Sequence, residues 1–258
     1  MKTFKKLWEN FAPYADSNFI TETQKQFHPR SWEMYMGNVL LKRNTLSEAK
    51  QKIKPRNEGP DFILNDGTYI GCIACSKGDQ EKADSVRPPF YAKNPDEIMV
   101  QDVPIDKMIL RITQALKDKA IDQYERWKKK KWFDAKAPFV IAINSGDLEW
   151  PQDYLGIPLI IKALFGLEFL QIDQNKNDSF TWRDEIQKGE GVPVTYFTGK
   201  DFSFVSGVIF SDQYVLNHPE KVGDDCIFVN NPFAQNPANL ADFFKSWLAT
   251  EHTLTKKY

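Results

Sequence analysis

Asp61 is the first residue whose position could carry chemistry. It follows Gly59-Pro60 and opens a short run, Asp61-Phe62-Ile63-Leu64, which faces a second run, Thr68 to Cys75, across Asn65-Asp66-Gly67. A three-residue loop whose glycine takes the left-handed conformation suits a β-hairpin. Pairing Leu64 with Thr68 sets Asp61 directly opposite Gly71, at ~5 Å between side-chain positions. A carboxylate at such a strand end either accepts turn hydrogen bonds or offers oxygen to a hard cation. Thiol and imidazole chemistry is less favoured. Cys72 and Cys75 have CxxC spacing, but inside a strand that spacing sends them to opposite faces, where they cannot share a metal or a disulfide. His28, His218 and His252 are scattered, and the first two precede prolines, so no zinc site is expected. No phosphate loop, dinucleotide fingerprint or nucleophile elbow occurs.

The elements around Asp61 follow from periodicity. Trp32, Met36, Val39 and Leu40 form a helical stripe after His28-Pro29, with Ser31 as N-cap and Glu33 in the first turn, where a carboxylate complements the helix dipole. Ile105, Met108, Ile109, Ile112, Leu116, Ala120, Tyr124 and Trp127 predict one long helix from Pro104 to Lys131. Lys119, seven residues after Ile112, rides on its inward side. Pro138 to Asn144 is a near-continuous apolar run, the pattern of a strand buried on both faces. A short helix precedes Pro13, a helical turn is expected over Leu46–Lys52, and residues 79–103 read as a polar loop. Further on, Leu159–Leu170 reads as helix, Val205–Phe210 and Cys226–Val229 as strands, and Leu240 to Leu248 as a closing amphipathic helix. This order predicts an α/β fold, a mixed central sheet flanked by helices, as a single domain with a core near 28–145 and an extension over 146–258.

Composition agrees with a folded chain. Of 258 residues 41% are hydrophobic and 14% aromatic, and 34 Lys and Arg against 35 Asp and Glu leave a formal charge of -1. This balance removes the simplest argument for a nucleic-acid binder, a strongly basic surface, and leaves room for a local basic groove. Three cysteines argue against a disulfide framework. No apolar stretch reaches the ~18 to 20 residues of a membrane span, and the expected compartment is the cytoplasm.

Glu33 on a helix, Pro60-Asp61 at the start of one strand and Ile70-Gly71-Cys72-Ile73-Ala74 on its partner, followed by the helix through Lys119 and the strand Pro138–Asn144, resemble the PD-(D/E)XK restriction-endonuclease-like superfamily in its divergent bacterial members. The resemblance covers roughly residues 28–145. It implies a restriction-endonuclease-like core and a nuclease-like hydrolase acting on or binding nucleic acid phosphodiesters. It also implies Mg²⁺ held by Glu33 and Asp61, which would stabilise phosphoryl charge and activate water. The catalytic triplet falls on Gly71-Cys72-Ile73, so the acid is a glycine and the lysine an isoleucine. Lys119 or Lys77 would then replace the lysine beside Asp61, although Lys77 lies ~13 Å beyond position 73 along a strand. Arg111 and Thr113 would bind the substrate backbone.

Each residue also has an ordinary reading. Asp61 can cap a turn, Lys119 can lay its stem on the core, Arg111 can pair with a helical acid, and Lys128 to Lys131 can be a solvated helix end. The alternative function is a non-catalytic nucleic-acid-binding or protein-assembly module on the same fold.

Overall fold

The computed structural model describes residues 2–43, 59–91, 94, 99–150, 153–154, 157–171, 179–188, 190–214, 216–240 and 242–247. Three helices open the chain: α1 (Lys2–Phe11), α2 (Phe19–Lys25) and α3 (Phe27–Lys42). The hairpin follows as β1 (Phe62–Ile63) and β2 (Tyr69–Ala74), and then α4 (Ile105–Lys117), a π segment (Asp118–Gln123) and α5 (Tyr124–Trp127) lead into β3 (Phe139–Asn144). Beyond it lie β4 (Asp153–Tyr154), β5 (Ile157–Pro158), α6 (Leu159–Phe165), β6 (Leu167–Gln171), β7 (Ser179–Trp182), β8 (Glu185–Lys188), β9 (Glu190–Pro193), β10 (Gly207–Ser211), β11 (Ile227–Asn230) and β12 (Lys245–Trp247).

Six strands form one mixed sheet in the order β1-β2-β3-β10-β11-β12. β2, β3 and β10 run parallel, while β1 and β11 are antiparallel to their neighbours β2 and β10. Side-chain alternation sorts the core into two layers. Ile70, Cys72, Val140, Ala142 and Ile209 pack under α3, and Tyr69, Phe139, Ile141, Ile143 and Val208 pack with α4 and α6. Cys72 and Cys75 fall in opposite layers, as strand parity requires. The expected α/β class, with helices flanking a mixed sheet, is therefore the observed one. Among the described residues no helix is long and apolar enough to cross a membrane.

The hairpin has the expected register. Phe62 pairs with Ile70 and Ile63 with Tyr69, Leu64 N–H donates to Thr68 O at 2.9 Å, and Gly67 takes a φ of 94°. Other expectations need correction. α3 starts at Phe27, not after Pro29, because a proline in the first turn forfeits no intrahelical bond. Ser31 is then inside the helix and caps nothing, and Glu33 sits in the second turn rather than at the dipole's end. The helix expected over Leu159–Leu170 ends at Gly166, whose φ of 66° caps α6, and β6 follows. The closing helix is replaced by a turn at Leu240–Phe243 and by β12, which pairs with β11 in parallel. The helical turn over Leu46–Lys52 lies outside the described residues.

Candidate active site

One residue beyond Phe62, the hairpin register brings Asp61 level with Gly71. β1 ends there, so the outward N–H of Cys72 has no strand partner and takes the Asp61 carboxylate instead, at 2.6 Å from Oδ2. The same oxygen accepts from Lys119 Nζ at 3.1 Å. Lys119 belongs to the π segment, and it is 9% exposed. Its stem crosses Gly71: a Cβ built there would stand 3.4 Å from Lys119 Cδ and 3.4 Å from the Trp127 ring. The lysine stem thus lies beside the space that a side chain at position 71 would enter.

Glu33 reaches the same place from α3. Arg30 Nη1 donates to its Oε2 at 2.7 Å, and it is 8% exposed. Burial, and next the negative charge of Asp61, push its pKa up to about 7 from 4.5, against the opposing pull of Arg30. A carboxyl poised there can gain or lose a proton near neutral pH. Glu33, Asp61, Lys119 and Arg30 line one open pocket of about 510 Å³, which Asp16 and Glu22 also border, so acidic groups outnumber the two cations.

Oxygen count decides whether the donors suit a divalent cation. Among the described residues no group of three or more His, Cys, Asp or Glu side chains is placed to hold a metal. Two carboxylates, Glu33 and Asp61, border one pocket, each with one oxygen already engaged by a neighbour, and Mg²⁺ is usually held through one or two carboxylates with several waters retained.

The remaining candidates lie elsewhere. Lys77 is past the end of β2 and pairs with Glu149 at 2.9 Å, so it does not reach Asp61. The Arg111 guanidinium fills the space where a side chain on Gly78 would stand, away from the pocket's lining. Thr113 is 1% exposed, and its hydroxyl donates back to Leu110 O at 3.0 Å, a helix-internal bond that leaves it no route to a substrate. Sequence reasoning missed Arg30 and Gln123, whose buried Oε1 borders the pocket with no partner among the described residues. The signal for Arg30 was its three-residue spacing from Glu33, which shares a face only if the helix begins before Pro29.

Fold and site together define the class: an α/β protein whose sheet edge, closed by α3 and the π segment, holds a pocket of ion-paired, largely buried carboxylates. Comparison with protein families, curated proteins and solved structures gives no match.

Proposed function

We propose that the chain is a divergent restriction-endonuclease-like protein whose pocket binds a nucleic acid phosphodiester and hydrolyses it slowly with Mg²⁺. The observation that carries this reading is the meeting of Lys119 with Asp61 at 3.1 Å beside Gly71, with Glu33 in the same pocket. Segments far apart in sequence supply a carboxylate pair and a lysine at the position where the acid is lost. Mg²⁺ held by Glu33 and Asp61 would supply charge for the phosphoryl oxygens and a water reactive near neutral pH. The chain's own residues do the rest. Asp61 fixes the Lys119 ammonium at the pocket wall, where a cation stabilises an anionic centre. Arg30 holds the Glu33 carboxyl in place at the pocket wall. Gly71 removes one oxygen ligand, which limits the rate.

Purified protein is incubated with plasmid and with single-stranded DNA, in Mg²⁺, Mn²⁺ or chelator. Slow metal-dependent cleavage is expected, falling at least about 100-fold in Asp61→Asn and in Lys119→Met, the cost of removing one charge-stabilising group. Lys119→Met keeps the stem over Gly71 and deletes only the ammonium. Cleavage that persists in both variants would overturn the assignment. Binding without cleavage would leave the non-catalytic module.

A further inference from the structure

Lys162 is the one charged residue of α6, a helix buried along its whole length, and it is 5% exposed. A cation in that setting needs partners. Glu168 is the extra residue of a bulge between β6 and β7, and its backbone carbonyl, which the ladder leaves unpaired, accepts from the Lys162 ammonium. Lys162 also lines a small pocket of about 80 Å³, with Ile105, Leu167 and Val194 as its apolar wall. The half-buried Arg183 and Glu168 and the exposed Asp106 form the solvent side. Arg183 N–H donates to Gly166 O at 2.7 Å, and its guanidinium bonds both Asp106 oxygens, at 2.8 and 3.1 Å, and stands 3.5 Å from the Glu168 carboxylate.

A desolvated lysine beside a second cation is the setting in which an amine becomes a nucleophile. Burial lowers the Lys162 pKa against the raising charge of Glu168, and Arg183 lowers it further. We infer that Lys162 holds a small aldehyde or ketone as a protonated imine. Volume sets the size: the pocket equals roughly two or three waters at ~30 Å³ each, which admits a molecule of about three or four heavy atoms. Charge sets the chemistry. A carbamate on the same nitrogen would put a third negative charge beside Asp106 and Glu168, with Arg183 the one cation left in the lining, whereas a protonated imine keeps the positive charge that balances them. The neutral amine attacks the carbonyl carbon, C=N replaces C=O, and the oxygen leaves as water with two of the three hydrogens of the original ammonium. One proton and the positive charge stay on nitrogen, and no oxidant or reductant enters. Lys162 is not in the Asp61 pocket, so this inference does not depend on the function proposed above.

The native full chain is treated near neutral pH with acetaldehyde or with benzaldehyde, together with cyanoborohydride, which reduces a protonated imine to a stable amine, and alkylation is located by peptide mass spectrometry. Acetaldehyde should alkylate Lys162 at least about tenfold faster than the exposed Lys5, because the neutral fraction of an amine grows about tenfold for each unit by which its pKa falls. The Lys162 rate should also level off at a lower pH than that of Lys5. Benzaldehyde, too large for the pocket, should label Lys5 and spare Lys162. A Lys162 rate no greater than that of Lys5 overturns the inference, and so does equal labelling of Lys162 by both aldehydes, since no pocket would then select the ligand.

Discussion

Asp61 and Lys119 illustrate how much one oxygen can organise. A single carboxylate oxygen accepts the outward N–H of Cys72 in β2 and the Lys119 amine, so hairpin end and helix are fixed to each other at the pocket. Both residues were legible from spacing, Asp61 from hairpin register and Lys119 from helical phase. Thr113 and Arg111 were not, because periodicity gives a residue's face and not the neighbour that will occupy it. His28 carries a separate consequence at this scale. It is buried, stacked on Tyr214 at 5.4 Å, and its pKa is lowered chiefly by burial, against the raising influence of Asp147 and Asn144 and with that of Lys77. A histidine whose folded pKa is depressed contributes stability that is present above ~6.5 and is lost as pH falls through the folded value. His28→Phe, which preserves a ring against Tyr214, should therefore gain stability relative to the parent as pH falls. Urea denaturation at about pH 8 and about pH 5 checks this, on either side of the ordinary histidine pKa, and an unchanged difference between the two would contradict it.

At the scale of elements, α3 is the helix that positions the site, and residues 31–40 are buried throughout. Its stripe was readable, but its start was not: Pro29 is tolerated inside the first turn, so a helix read as beginning after it loses Arg30 and the Arg30–Glu33 pair. α1 lies against α3 at Gly37, where an added Cβ would fall 2.5 Å from the Phe11 ring and 3.3 Å from Phe62. Two effects compete in Gly37→Ala. Helix propensity favours alanine by ~1 kcal/mol, while overpacking a filled contact costs about 1–3 kcal/mol. Phe11 is 1% exposed and cannot swing aside, so the clash should win and the variant should lose about 1–2 kcal/mol. Chemical denaturation measures it, and a gain would mean that α1 shifts freely on α3.

At the scale of the molecule, the sheet alternates its side chains so regularly that the two core layers were implicit in the apolar runs of β2, β3 and β10. What the sequence concealed lies after residue 158. Helical spacing in Leu159–Leu170 was cut by Gly166, and the aromatic segment after Leu240 became β12 because pairing with β11 satisfies backbone groups that an edge strand would otherwise expose. Local pattern is silent on such long-range ladders. The sheet, once assembled, sets Gly71 level with Asp61 on its edge and against the stem of Lys119 on the covering helix, and the proposed function depends on that glycine marking a lost acid. The direct measurement is plasmid cleavage by Gly71→Glu and Gly71→Gln, with folding followed by thermal unfolding, because a Cβ there already stands 3.4 Å from Lys119 Cδ and from the Trp127 ring and the longer side chains must find room beside them. The account predicts that glutamate raises metal-dependent cleavage at least about tenfold, as a restored oxygen ligand should, and that glutamine does not. A folded Gly71→Glu protein that cleaves no faster than the parent would contradict it.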